Sequence, residues 1–179
     1  MTQEEIIRMA AEAGAKAAME TLEKERQKES LEMSDRRLRN TKLLLRNYRT
    51  FKDHAANAVY EVESEEDPLQ IIQELMMPDR SPNIFVESIK RSVARTITIV
   101  RHIETMLHLY QVYCFQYGSE EDERRWRVIE GLYIGDSKVS VAELAEREGV
   151  VERTIYKDID VASERLSALI FGIDGIKKR

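Results

Sequence analysis

The clearest pattern in the sequence is a run of apolar positions, three and four residues apart, between residues 83 and 117. The run consists of Val86, Ile89, Val93, Thr96, Val100, Ile103, Leu107, Tyr110, Cys114 and Tyr117. Alternating steps of three and four keep such positions on one side of a helix. Asn83 can cap the start of this helix, and Gly118 can end it. The pattern predicts one long helix with the packing of a coiled coil.

A second run with the same spacing lies between residues 34 and 63. Its members are Thr41, Leu44, Tyr48, Phe51, Ala55, Ala58 and Val62. Ser34 can cap the start of a helix here, and this helix can fold back on the 83–117 helix as an antiparallel hairpin. A partner from another chain satisfies the pattern equally well. We therefore predict a long-helix hairpin or coiled coil over residues 34–118, as a candidate oligomerisation domain.

The two remaining segments of the N-terminal two thirds contain fewer large apolar residues that could be buried. Residues 1–33 predict a helical arm whose weak apolar face is mostly alanine, so we expect a solvated helix, an oligomer contact or a partly frayed arm. Residues 61–82 are acidic and interrupted by prolines, with a short helix predicted after Pro68. This acidic segment either lies against the basic helix before it or forms a solvated loop.

The last third begins a different pattern, in the stretch KVSVAELAEREGVVERTIYKDI at residues 138–159. Ser140 and Glu143 are spaced as a capping box, with Val139 and Leu144 as its hydrophobic staple. The first helix, 141–148, ends at Gly149, which can adopt a left-handed turn. A second helix follows over residues 152–170. The predicted inner face consists of Leu144, Val150, Ile155 and Ile159.

This spacing predicts a helix-turn-helix within a C-terminal domain of residues 119–179, in which the second helix enters the major groove of DNA. The candidate DNA-binding positions are Val151, Glu152, Arg153, Thr154, Tyr156, Lys157 and Asp160. Arg153 can bond a guanine edge and Glu152 can accept from cytosine, whereas Thr154 and Lys157 suit phosphate. Two positions depart from the usual pattern: Val151 lacks a capping oxygen, and Glu148 stands where an apolar residue is usual.

Composition supports helices and leaves DNA binding open. Only 7 Gly and 3 Pro occur in 179 residues, so we expect an all-α fold: a long helical hairpin or coiled coil followed by the helix-turn-helix domain. The net charge is −5, which argues against coating of DNA regardless of sequence. A local basic patch is enough for a specific contact, and one basic helix supplies candidates for DNA backbone contact. They are Arg36, Arg37, Arg39, Lys42, Arg46 and Arg49.

The same basic run has three other interpretations: binding of an acidic partner, pairing with the acidic segment, and a face that is simply solvated. No motif for a metal, a cofactor or catalysis is recognisable. His102 and His108 are six residues apart and point in different directions around a helix, so they cannot share an ion. We therefore expect no enzyme activity, no cofactor and no metal site. A single cysteine, no long apolar run and no leader-like N-terminus favour a soluble cytoplasmic protein without membrane contact.

Two stretches resemble a known family. AELAEREGVVERTIYKDIDVASERLSALIFGIDGI and RRLRNTKLLLRNYRTFKDHAANAVYE look like parts of phage-encoded late transcription regulators of the ArpU/RinA type. Their helix-turn-helix is similar to region 4 of bacterial sigma factors. The resemblance covers roughly residues 34–175. It implies a phage or prophage context, and so a bacterial host cell, and activation of late genes. The corresponding hypothesis is a sequence-specific regulator that binds promoters in double-stranded DNA and whose N-terminal helices form a homodimer or touch host RNA polymerase.

Two other functions fit the same patterns. A DNA-packaging adaptor of the terminase small-subunit kind also combines a helix-turn-helix with helical assembly segments. A protein-interaction module built on the 83–117 seam predicts no salt-dependent DNA binding at all.

Overall fold

The computed structural model of the protein describes residues 3–56, 67–74, 76 and 93–172. In these ranges the chain forms α-helices and no strand, so the prediction of an all-α fold is confirmed. The helices are α1 (Gln3–Ala56), α2 (Pro68–Glu74), α3 (Val93–Gln116), α4 (Glu120–Ile129), α5 (Val141–Glu148) and α6 (Glu152–Phe171). One π-helical turn, Glu130–Ile134, extends α4.

Helix α1 is continuous, and the predicted helix start at Ser34 is wrong because this residue lies inside it. Neither glycine nor proline occurs between Gly14 and the end of α1. A serine inside a helix costs only about 0.5 kcal/mol relative to alanine, so strong helix formers on both sides carry the helix through. The chain nevertheless divides into two compact units, Met1–Asp35 and Arg36–Arg179.

In the first unit, every described side chain from Gln3 to Met33 is exposed. The exposed side chains include several large apolar ones. They are Met9, Met19, Leu22, Leu31 and Met33. This agrees with the expectation that the arm buries little apolar area.

The second unit has one large core to which five helices contribute. Its members from α1 are Leu44, Leu45, Tyr48 and Phe51; α2 adds Ile71 and Ile72; α4 adds Trp126 and Ile129; α6 adds Ala162, Leu166 and Ile170. Helix α3 supplies the remainder of the core. Segments predicted to form the hairpin and the helix-turn-helix domain therefore share a single apolar core.

The apolar seam of α3 is largely as predicted. The buried seam residues are Thr96, Val100, Ile103, Leu107, Tyr110 and Cys114, together with Ile99. The predicted seam position Tyr117 is wrong: its side chain is 78% exposed, because α3 ends at Gln116. The Tyr110 and Trp126 rings meet edge to face at 6.2 Å. Asn83, Val86 and Ile89 lie outside the described residues.

Helix α3 contacts more partners than the predicted hairpin provides. The Tyr48 hydroxyl on α1 donates to Glu104 of α3 at 3.0 Å, so the two predicted hairpin helices do meet. Helix α3 also packs against α2, α4 and α6. His102 Nε2, for example, lies 3.2 Å from the carbonyl oxygen of Ile170 near the end of α6.

Candidate nucleic-acid interface

The start of α5 has the predicted capping box. The Glu143 amide donates to Ser140 Oγ at 3.2 Å, and the Ser140 amide donates to Glu143 Oε2 at 2.7 Å. Hydrogen bonding from the Ser140 amide, and after it from the Ser140 side chain, holds the pKa of the Glu143 carboxyl group below its ordinary value. The two capping bonds satisfy amides that the helix leaves without a partner, so the start of α5 is fixed locally.

The turn between α5 and α6 is set by one glycine. Gly149 has φ 65° and ψ 32°, the left-handed conformation that its lack of a Cβ allows. The Val150 amide then donates back to the carbonyl oxygen of Ala145 at 2.9 Å. Val151 gives no side-chain cap to α6, as its sequence indicated. The two helices are thus joined by a short, well-defined turn.

A second, smaller core holds α4, α5 and α6 together. Its buried members are Val128, Leu132, Leu144, Ala145, Ile155 and Ile159, with Val139, Val141 and Val150 packed against them. The predicted inner face of the two helices is therefore confirmed. Burial of this side fixes which side of α6 remains outward.

Buried ion pairs fasten the inner side of α6 to α4, and sequence reasoning missed them. Asp158, with its side chain 4% exposed, accepts from Arg124 Nε at 2.7 Å. The Arg125 Nε lies 3.4 Å from the other Asp158 oxygen. The hydrogen bond to Asp158 is the main cause that raises the pKa of Arg124. A signal existed in the sequence, because Asp158 falls on the inner face beside Ile159.

Asp122 joins the same network from the start of α4. It accepts from Arg125 at 2.5 Å and from Arg165 of α6 at 2.6 Å. Burial alone would raise the pKa of Asp122, but the Ser119 amide and the two guanidinium groups outweigh it, so this pKa is lowered. Arg165 also lies over the Tyr113 ring, 5.1 Å from its centroid.

The acid that departed from the helix-turn-helix pattern, Glu148, has a structural explanation. Its side chain is 7% exposed, and Arg127 of α4 donates to it three times at 2.9–3.1 Å. Burial would raise the pKa of Glu148, but the bonds from Arg127 lower it on balance. An ion pair between the buried Glu148 and the partly exposed Arg127 therefore occupies the position where an apolar residue is usual in a helix-turn-helix.

The outward side of α6 carries the predicted DNA-binding residues. Val151, Glu152, Arg153, Tyr156, Lys157 and Asp160 are exposed, and Thr154 is half-buried. With respect to the described residues, Arg153 and Lys157 have no ion-pair partner. Arg153 and Lys157 are exposed in the first and second turns of the helix, whereas Asp158 is buried.

The basic residues of α1 fall into engaged and exposed groups. Arg36 donates to the carbonyl oxygen of Met76 at 2.5 Å, and Arg37 is half-buried. Arg49 donates to the carbonyl oxygens of Gly135 at 2.8 Å and Leu132 at 3.0 Å. It also reaches those of Gly131 and Ser137.

Arg39 and Arg46 are exposed, and Lys42 connects the two predicted sets of DNA-contacting residues. Lys42 Nζ lies 2.6 Å from Asp160 Oδ1, joining residues 118 positions apart in the chain. The basic side of α1 therefore lies next to the outward side of α6. Residues 61–66, which carry four of the seven acids between Glu61 and Asp79, are outside the described ranges, so their pairing with this helix stays a prediction.

Comparisons with known proteins give no family to which the chain can be assigned. No family model matches the sequence, and neither curated proteins nor solved structures give a match. Among the helices described, none combines the length and apolar character needed to cross a membrane. The described part of the chain also contains no group of three or more His, Cys, Asp or Glu side chains that could hold a metal ion.

Proposed function

We propose that this chain is a sequence-specific DNA-binding transcription regulator in which α5 and α6 act as a helix-turn-helix. The observation that carries the proposal is the contrast between the two sides of α6. Its inner side is held by apolar packing and by the Asp158 ion pairs, whereas the outward side of its first two turns is exposed. A rigid helix with a free, polar side at its N-terminal end is what major-groove docking requires.

Some residues of the outward side would contact bases, and others would contact phosphates. Arg153 suits bidentate hydrogen bonding to a guanine edge, and Glu152 can accept from a cytosine amino group. Lys157 and Thr154 suit phosphate oxygens, which position the helix without reading sequence. Tyr156, 54% exposed, can serve either contact.

The neighbouring basic side of α1 supports the proposal despite the acidic total charge. Arg39 and Arg46 are exposed there and have no ion-pair partner in the described ranges. In the folded chain they lie along α1 on either side of Lys42, which reaches α6. Local positive charge beside the reading helix can contact phosphates even when the whole chain is negative.

The regulatory role proposed here is activation of phage or prophage late genes in the cytoplasm of a bacterial host. It is supported by the resemblance of residues 36–61 and 142–176 to late regulators of the ArpU/RinA type. Contact with host RNA polymerase or with a second copy would use α1. Met19 and Leu22 of the first unit, exposed and three residues apart on one face of α1, support such a contact.

Footprinting of the purified protein on the DNA around its own gene tests the proposal. A protected site should appear, and R153A should weaken binding to it by about 1–3 kcal/mol and relax base preference at one position. R101A is the matched control, because Arg101 is an exposed arginine next to His102, which contacts the far end of α6. Equal binding by R153A and R101A would remove Arg153 from the recognition surface.

The mass of the protein in solution separates regulation from DNA packaging. A monomer or dimer is the expected result for a regulator. A ring of many subunits would overturn the regulator in favour of a packaging adaptor, and absence of any salt-dependent DNA binding would favour a protein-interaction module.

A further inference from the structure

We propose that Asp160 is an internal counter-ion for DNA binding, which occupies Lys42 in place of a phosphate and so weakens the affinity for DNA of arbitrary sequence. This inference rests on the proposed function. It assigns a role to an acid on the outward side of α6, where a negative charge would otherwise only oppose binding. The role is a positioning and specificity role, not a base contact.

The geometry of the pair suits an exchangeable partner. Lys42 Nζ and Asp160 Oδ1 are 2.6 Å apart, and the two side chains are 28% and 63% exposed. Because Asp160 is well exposed, water competes for its charge, and the pair contributes little to stability. A phosphate oxygen can therefore replace the carboxylate without disturbing the fold.

Asp160 also lies in line with the reading residues. Positions 153, 156 and 160 are spaced three and four apart, which places them on one side of a helix. A carboxylate at the third of these positions stands at the edge of the surface that would face the groove. It can hold Lys42 and, at the same time, repel a phosphate that approaches it.

Lys42 belongs to a stripe along α1 in which neighbouring cations have different roles. At 3.6 residues per turn, Arg39, Lys42, Arg46 and Arg49 fall within about 80° around the helix. Arg49 is committed to backbone carbonyls of residues 131–137, and Arg39 and Arg46 are exposed. Within the stripe, Lys42 forms an ion pair with an acid of α6, Asp160. This pair therefore controls how much of the positive charge of the stripe is available to a phosphate.

Removal of the acid should release one cation for DNA. Binding to DNA of arbitrary sequence depends on phosphate contacts, each of which contributes about −0.9 to the slope of log affinity against log salt concentration. D160N should therefore bind more tightly and have a slope steeper by about 0.9. Its advantage over the original protein should be about three- to fourfold larger at 50 mM than at 200 mM salt.

The experiment measures the affinity of the full chain for a short duplex of arbitrary sequence across this salt range. E164Q is the matched control: Glu164 is exposed one turn further along α6 and loses the same charge. The single variant K42A and the double variant K42A/D160N, together with D160N and the original protein, form a double-mutant cycle. The expected result is a steeper slope for D160N, little change for E164Q, and no effect of D160N once Lys42 is absent.

Two results would overturn the inference while leaving the proposed function intact. The first is an equal gain for D160N and E164Q, which would mean that only net charge matters. The second is a D160N gain that persists in the K42A background. If the original protein shows no salt-dependent binding to DNA, the proposed function itself fails, and that outcome is distinguishable because it appears before any variant is compared.

Discussion

The arginines of α4 form ion pairs with buried acids, whereas several basic residues of α1 are exposed to solvent. Arg124, Arg125 and Arg127 of α4 each pair with an acid whose side chain is less than 10% exposed. On α1, by contrast, Arg39 and Arg46 face solvent. Both stretches are rich in arginine in the sequence, yet only one of them presents free positive charge.

The difference follows from the cost of burying charge. A guanidinium taken out of water needs an acid close by, and the pair is then fixed in place. Helix α4 obtains these acids from its own first turn, from α5 and from α6. Its arginines therefore act as structural ties that orient α5 and α6, whereas Arg39 and Arg46 of α1 stay exposed.

Among the variants that test this difference, removal of the Asp158 side chain should have the largest effect on the free energy of unfolding. D158A leaves Arg124 and Arg125 buried without their shared acid, which should lower the free energy of unfolding by about 3–5 kcal/mol. E164A, at an exposed position of the same helix, should change it by less than about 0.5 kcal/mol. Urea unfolding measures both. Equal unfolding midpoints for the two variants would show that the α4 pairs are not structural ties.

A double variant separates two causes of this loss of stability: the unpaired charge of the arginine and the packing lost with the Asp158 side chain. Replacement of a buried pair by apolar residues of similar size is often tolerated far better than removal of one partner. R124M/D158L should therefore recover much of the stability that D158A loses. Failure to recover any would attribute the loss to packing and not to the stranded guanidinium.

Arg49 should be the exception among the basic residues of α1. R49A removes donors from several carbonyl oxygens at the end of the π-helical turn, including those of Gly135 and Leu132. Since hydrogen bonds from a charged donor contribute about 1.5–3 kcal/mol, and the site is partly exposed, we expect a loss of about 1–3 kcal/mol. R46A is the control on the same side of α1, with almost no expected change. Thermal unfolding of both variants gives the comparison, and equal midpoints would mean that Arg49 is not a structural tie.

The Arg127–Glu148 pair should make stability depend on pH. The pKa of Glu148 is lower in the folded protein than its ordinary value, so its carboxylate stabilises the fold above the unfolded pKa of about 4.3. That contribution is lost as the pH falls through the folded pKa. E148Q should cost about 1–2 kcal/mol at pH 7, less than a fully buried pair because Arg127 is 38% exposed.

The measurement is urea unfolding of the original protein and E148Q from pH 7 to about pH 3. The difference between them should shrink below about pH 4, where the original protein loses the same charge. E146Q, which changes an exposed acid of the same helix, is the control. A difference that stays constant across the range would show that the charge of Glu148 is not what stabilises the pair.

Features encoded within a few residues could be predicted from the sequence. The Ser140 capping box, the Gly149 turn and the α3 seam each depend on residues three or four positions apart, and the structure has all of them. The Ser34 cap failed for a related reason: a capping residue marks a helix start only where the preceding residues do not themselves continue the helix.

Features that depend on distant residues could not be predicted in this way. Arg127 and Glu148 are 21 positions apart, Arg124 and Asp158 are 34, and Lys42 and Asp160 are 118. Pairing of this kind follows from how the helices pack, which no local pattern records. The exposed side of α6 could be predicted because the apolar residues of this helix recur with a helical period, and the remaining positions must then face outward. Binding of DNA to that side remains a prediction.

The smallest expected effect concerns Arg46, and it decides whether the exposed charge of α1 is used. R46A should leave stability unchanged and weaken binding to all DNA sequences alike, because a phosphate contact carries no sequence information. The slope of log affinity against log salt concentration should become shallower by about 0.9, the contribution of one phosphate. R101A should leave this slope unchanged. If R46A and R101A have the same slope while R153A still loses base preference, then DNA contacts α6 without reaching α1, and the charge of α1 is free for another partner.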